Sequence, residues 1–203
     1  LKSPSFAMRG TGFVVGDGRL IATNAHVVPE MTGVDSGQDT LMILARQGAG
    51  TSPHPVRLVT RNAEHDLAIL RLDGPPLPAL ALGSSDAVRE GQAIAFSGFP
   101  IGSALGFSPV THRGIISSIT PIALPIGNAS QLKDKSIRSL RGGAFPIFQL
   151  DATAYPGNSG GPLINARGQA IGINAAIFSH SGGSVGIGFA IPSNQAKTVV
   201  MQL

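Results

Sequence analysis

The stretch Gly157-Asn158-Ser159-Gly160-Gly161-Pro162 constrains this chain more than any other, because three glycines and a proline crowd around one small hydroxyl residue. A packed strand does not use this composition: glycine loses the most conformational freedom on ordering, and proline withholds a ladder donor. A tight turn does. Such a turn aims consecutive backbone N–H groups into one concavity and holds a hydroxyl at its lip, the arrangement of an oxyanion hole beside a nucleophile. The plainer reading is an ordinary Gly/Ser/Asn surface turn. A serine hydroxyl is a poor nucleophile at neutral pH, so the first reading demands a histidine base, and a group to orient it, from elsewhere in the chain.

The chain has the means to build a core around such a site. With 203 residues it should bury about 70% of its unfolded surface. Hydrophobic residues make up 42% and charged ones 13%, with 27 glycines and 15 prolines, which argues for a compact protein of many short strands rather than a disordered one. There is no cysteine, so disulfides and thiolate metal sites are excluded. No apolar span reaches roughly 18 residues, and membrane insertion is not expected. The chain opens at Leu1, the expectation for a processed or trimmed product whose targeting segment is gone.

The net charge of +4 is concentrated in the second half, where Lys133, Lys135, Arg138 and Arg141 lie close together. Aromatic residues are only 5%, thin for a surface that stacks bases. The cluster therefore reads as a solvated loop, with docking or regulation as the alternative, and nucleic acid is not an expected partner.

Apolar runs punctuated by Gly and Pro predict strands from 13 to 23 as a hairpin turning at Gly16-Asp17-Gly18, then at 41–46, 56–60 and 66–72. A Gly/Pro turn is expected between the strands at 41–46 and 56–60. The segment Gly74-Pro75-Pro76-Leu77-Pro78 cannot be helix or central strand and predicts a connector. Further strands follow at 92–97, 110–119, 145–150, 162–165, 169–176 and 185–191. From 120 to 143 the periodicity dissolves, as in functional insertions. Ala196, Val199, Val200 and Leu203 share one helical face, with Ser193 as the expected N-cap. The expected fold is all-β: two six-stranded-type antiparallel barrels, residues 1–88 and 89–203, closed by a C-terminal helix and together forming one functional domain.

His26 falls at a strand end, Asp66 opens a strand, and Ser159 follows in its glycine turn. His, Asp, Ser is the chain order of chymotrypsin-fold proteases, whereas subtilisin and α/β-hydrolases order theirs differently. His65 is the rival base, but as the immediate neighbour of Asp66 on extended chain it should face the other way. His54 and His180 read as solvated turn residues. Asp66 could alternatively be a strand-start cap. The histidines and carboxylates show no metal-ligand spacing, so neither a metal nor another cofactor is expected.

Thr23-Asn24-Ala25-His26-Val27-Val28, Asp66-Leu67-Ala68-Ile69-Leu70, 151–163 and Gly186-Ile187-Gly188-Phe189-Ala190-Ile191-Pro192 together resemble the HtrA/Deg branch of chymotrypsin-like serine proteases, over nearly the whole chain. The resemblance implies Ser159 as nucleophile, His26 as general base and acid, and Asp66 as the group that orients the imidazole. It places the oxyanion hole in the turn Gly157, Asn158, Ser159, with the amides of Gly157 and Ser159 as donors. Asn158 stands where the digestive enzymes keep an aspartate that pairs with a freed N-terminus. A neutral amide cannot form that ion pair, so loop rearrangement in 120–143 and 175–184 is the expected route to activation.

Thr153 occupies the position that is acidic in trypsin, and by resemblance Ala154, Asn174, Ala175, Ile177 and Phe178 form the primary pocket, suited to a small or medium apolar side chain. Asp151 lies near this pocket and is expected to be structural. The same resemblance implies polypeptide substrates in protein quality control, a periplasmic or otherwise exported location, and a homotrimer anchored by Phe6 and Met8. HtrA proteases commonly carry PDZ domains after the protease, and none is expected within this chain. Distances between the three side chains are invisible in sequence. A binding module or holdase with a collapsed oxyanion hole is therefore the competing reading of the same fold.

Overall fold

The computed structural model describes residues 10–29, 41–48, 50–100, 108–121, 146–152, 155, 157–177 and 187–200. In chain order its strands are β1 (Phe13–Val15), β2 (Leu20–Thr23), β3 (Met42–Gln47), β4 (Gly50–Asn62), β5 (Leu67–Leu72), β6 (Ala93–Gly98), β7 (Val110–Pro121), β8 (Pro146–Asp151), β9 (Pro162–Ile164), β10 (Ala170–Ile177) and β11 (Ile187–Pro192). One helix, α1 (Ser193–Val200), follows them. The first five strands form a sheet in the order β1-β2-β5-β4-β3, and the remaining six close into a barrel in the order β10-β11-β8-β7-β6-β9. The all-β, chymotrypsin-like expectation is borne out. Among the described residues the first unit is an open five-stranded sheet, while the second is a complete six-stranded barrel.

Hydrophobic patterning explains the arrangement. In β5 every residue except Arg71 is buried. Leu67 and Ile69 face one core, while Ala68, Leu70 and Leu72 face another, as the two-residue period of a strand requires. The first of these cores is the seam of the molecule: Phe13, Val15 and Ala22 meet Ala170, Ile173, Ala175, Ile191 and the α1 residue Ala196. A separate cluster that includes Phe96, Ile116, Phe148, Leu150 and Leu163 fills the barrel. Burying a side chain of this size is worth about 1.5–3 kcal/mol, so a seam of this composition holds the sheet rigidly against the barrel.

The Pro-rich connector acts as a strap across that seam. Leu77 N–H donates to Gly18 O at 2.8 Å and Leu80 N–H to Val14 O at 2.8 Å. The chain then forms a parallel bridge between Leu82 and Ala170 at the start of β10.

Two local expectations are corrected. Residues 50–55 are strand, not turn: β4 runs through Pro53, His54 and Pro55. Val56 N–H donates to Leu41 O, whereas Pro55 O accepts from Asp73 N–H on the opposite side. The prolines at 53 and 55 thus direct their missing donors away from β3, toward the side where β5 has already ended, and the pairing with β3 loses nothing. His54 is accordingly a half-buried strand residue whose Nε2 lies 2.9 Å from Ser52 Oγ. Ser193 is the first helical residue, and its buried hydroxyl donates to Gly83 O at 2.8 Å, tying α1 to the strap.

Candidate active site

The site is assembled where the end of β2, the turn before β5 and the turn between β8 and β9 converge on the seam. Asp66 immediately precedes β5 and is 5% exposed. It is the one non-glycine residue with positive φ (51°) among the described residues. Asp tolerates this left-handed conformation better than most residues, and the surroundings enforce it. Its carbonyl accepts Ala25 N–H at 3.1 Å and Asn24 Nδ2 at 3.0 Å.

So held, the carboxylate grips His26 twice: Oδ1 accepts the His26 backbone N–H at 2.9 Å, and Oδ2 lies 2.7 Å from Nδ1. The imidazole that Asp66 meets is therefore that of His26. The side chain of Asp66 is 7% exposed and that of His26 43%, an arrangement with the carboxylate inside and the ring at the surface. A carboxylate on Nδ1 selects the tautomer with its proton there and leaves Nε2 free to accept one. Asp66 also braces the 24–27 turn, so its capping and orienting readings describe the same contacts.

The glycine turn packs directly against this pair. Thr11 N–H donates to Ser159 O at 2.8 Å. A Cβ at Gly10 would meet both the Val27 side chain, at 2.7 Å, and Ser159 O, at 2.8 Å. One at Gly160 would run into Thr11 O and Thr23 Oγ1. The segment carrying His26 and the turn carrying Ser159 are thus in contact. Gly157 has φ 96°, and a Cβ there would meet Phe99 O at 2.5 Å. Only glycine fits both the conformation and the space.

The amides of the turn divide cleanly. Asn158 N–H is bound to Tyr155 O (3.0 Å), Gly160 N–H to Asn174 O (2.7 Å) and Gly161 N–H to Asn158 O (3.0 Å). Those of Gly157 and Ser159 have no acceptor among the described residues. Of the three residues expected to form the oxyanion hole, Asn158 therefore has its amide already engaged. Its fully buried side chain also lacks a hydrogen-bond partner among the described residues.

The half-buried Ser159 directs its hydroxyl to Ala175 O at 3.4 Å, and no hydrogen bond joins it to His26. The ladder between β10 and β11 shifts register between Asn174 and Ala176, and this bulge frees Ala175 to turn toward the serine. Asn174, 1% exposed, holds the turn through its backbone on both sides, also donating to Gly161 O at 2.9 Å. Ala175 is equally buried. Thr153, Ala154, Phe178, His180, Phe6, Met8, the basic stretch 133–141 and the side chain of Ile177 lie outside the described residues.

Two polar residues near the turn escaped the reading of the sequence. One is Thr11. The other is His112 on β7, whose ring stacks on Phe96 at a centroid distance of 5.0 Å and tilts against Tyr155 at 5.6 Å. Its Nε2 is buried without a hydrogen-bond partner among the described residues, and burial holds its pKa below the ordinary imidazole value because the cation would lose hydration. With a depressed folded pKa, stability is complete above the unfolded value near 6.5 and declines as pH falls toward the folded one. His112→Phe, which retains the stacking, should narrow the difference in Tm between pH 7.5 and pH 5 relative to wild type. Superimposable pH profiles of Tm would refute the assignment.

An open sheet and a closed barrel that meet over an imidazole–carboxylate pair and a glycine-flanked serine define the chymotrypsin-like class. The chain belongs to the trypsin-like peptidase domain family, whose match spans residues 10–173. It is 36% identical over 194 residues to a probable periplasmic serine endoprotease, DegP-like, of Halomonas elongata, covering 96% of this chain and 35% of that protein. A protein of the same description from Chlamydia trachomatis is 38% identical over 199 residues, covering 97% and 34%. The solved structure of the HtrA-type protease AlgW with a decapeptide superposes with a TM-score of 0.72 at 34% identity, covering 95% of this chain and 50% of that one. The resemblance to HtrA/Deg proteases is thereby borne out. The chain spans about a third of the length of the curated relatives.

Proposed function

We propose that the chain is the proteolytic unit of an HtrA-type serine endopeptidase, with Ser159 as nucleophile, His26 as general base and then acid, and Asp66 as the residue that orients the imidazole. The observation that carries this reading is the double grip of Asp66 on His26, at 2.9 and 2.7 Å, beside a turn that presents a serine hydroxyl and two amides without an acceptor among the described residues. In the reaction Ser159 Oγ attacks the scissile carbonyl as His26 Nε2 takes its proton. The N–H groups of Gly157 and Ser159 receive the developing oxyanion, and the imidazolium returns the proton to the leaving amine. Water then hydrolyses the acyl-enzyme by the same route in reverse. Asp66 keeps its negative charge throughout.

Asn174 and Ala175, buried and without charge themselves, support a small or medium apolar residue on the acyl side of the cleaved bond. Flexible or unfolded polypeptides, met in protein quality control, are the substrates that fit this reading, in an exported setting like the periplasmic one named for the relatives. A homotrimer remains part of the proposal.

One observation favours a second reading, a resting peptide-binding form: the Ser159 hydroxyl faces Ala175 O rather than His26. Catalytic hydrogen bonds often tighten only when substrate arrives, so the absence of this bond does not by itself separate the two forms. A fluorophosphonate probe combined with casein turnover separates them. Labelling of Ser159 with casein cleavage, raised by an added apolar peptide, is expected for a switchable enzyme. Casein binding without cleavage or labelling, in folded protein, would establish the binding module.

A further inference from the structure

We infer that Thr11 is a positioning residue that sets the oxyanion hole by fixing the peptide plane between Gly157 and Asn158, an inference that rests on the peptidase reading above. Thr11 lies between two glycines just before β1, far in sequence from the serine turn, and is 5% exposed. A buried hydroxyl is costly unless it is hydrogen-bonded, and this one is bonded in both directions. Its Oγ1 donates to Gly157 O at 2.6 Å and accepts Phe99 N–H at 3.1 Å. The backbone of the same residue donates to Ser159 O at 2.8 Å, and its carbonyl accepts Thr23 Oγ1 at 2.7 Å. One threonine thus joins the end of β2, the segment after β6 and the nucleophile turn.

The hydroxyl acts on the geometry that catalysis needs. A peptide unit is planar, so fixing its carbonyl fixes its N–H. The Gly157–Asn158 unit is held at both edges, its carbonyl by Thr11 Oγ1 and its N–H by Tyr155 O. Gly157 sits at φ 96°, and its own N–H has no acceptor among the described residues. Glycine offers no steric barrier to rotation, so the plane on its C-terminal side is what that N–H is aimed against. Without the hydroxyl, Gly157 O loses its partner and the plane is held at its N–H edge alone, by Tyr155 O. Ser159 O, in contrast, is held by the Thr11 backbone, which any residue at this position supplies. The side chain therefore aims the hole and the main chain seats the nucleophile.

Three variants test this with the whole chain. Thr11→Val keeps the shape and deletes the hydroxyl, and Thr11→Ser keeps the hydroxyl. Ser193→Ala removes a comparable buried hydroxyl bond, to Gly83 O, at the helix remote from the turn. Against a peptide substrate, Thr11→Val should lower kcat roughly 10- to 100-fold with KM within about twofold, because misplacement by about 1 Å costs transition-state contacts more than ground-state ones. Thr11→Ser and Ser193→Ala should stay within about threefold of wild type. Wild-type kcat in Thr11→Val, a fall matched by Ser193→Ala, or no rescue by Thr11→Ser would overturn the assignment.

A readout independent of turnover keeps the two proposals apart. The Phe99 amide, which donates to the Thr11 hydroxyl, should exchange with solvent faster in Thr11→Val than in wild type. Unchanged exchange refutes the positioning role even in a preparation without turnover. Absent turnover with the expected gain in exchange refutes the peptidase reading alone.

Discussion

Replacing Ser159 by alanine is expected to reduce kcat by on the order of 10^5- to 10^6-fold while the protein folds as before. The size of the effect follows from the geometry. The hydroxyl lies 3.4 Å from Ala175 O, at the bulge of β10, and is carried by the turn whose Gly157 and Ser159 amides have no acceptor among the described residues. The nearby hydroxyls of Thr11 and Thr23 are already engaged, with Gly157 O and Thr11 O. The fold should survive because the turn is held by main-chain bonds, from Thr11 N–H to Ser159 O and from Gly160 N–H to Asn174 O, which alanine leaves in place.

The molecule also supplies its own control. Ser52 Oγ lies 2.9 Å from His54 Nε2, a serine–histidine contact away from the glycine turn. Among the described residues no carboxylate orients His54, and it lies on β4, outside the glycine turn. Ser52→Ala should therefore cleave peptide substrate at the wild-type rate. Residual turnover in Ser159→Ala within about 100-fold of wild type would show that another nucleophile carries the reaction.

The contrast between these two serines shows what could be read from sequence. Ser159 stood out because its neighbours are glycines whose only physical justification is a turn, and because His26 and Asp66 fall at strand boundaries in the order of a known fold. Strands with long apolar runs, such as β5 and β11, were legible because burial on both faces leaves a near-contiguous signature. The proline-containing half of β4 was not. Whether a proline breaks a strand depends on which side its missing donor faces, and that is set by where the neighbouring strand ends. Thr11 was equally illegible, since its partners Phe99 and Gly157 reach it only through tertiary packing. The bulge at Ala175 belongs with them, because a change of register leaves no mark in composition. The sheet's five described strands likewise depend on how β3 and β4 pair, not on any property of either run alone.

The orienting role of Asp66 carries the second large effect, and the left-handed backbone there makes it testable without a folding artefact. Asparagine tolerates positive φ about as well as aspartate, so Asp66→Asn adds little strain at φ 51°. It can still accept the His26 backbone N–H through its amide oxygen, preserving one of the two contacts. The other contact inverts. An NH2 group facing Nδ1 is a donor, so the imidazole must place its lone pair there and its proton on Nε2. An Nε2 that already carries a proton cannot accept one from Ser159. The expected loss is therefore about 10^4-fold in kcat at neutral pH, with KM nearly unchanged and Tm within a few degrees of wild type. Ring 15N shifts of His26 should report the Nδ1–H tautomer in wild type and the Nε2–H tautomer in the variant. Activity within tenfold of wild type, or an unchanged tautomer, would mean that the carboxylate only braces the turn at 24–27.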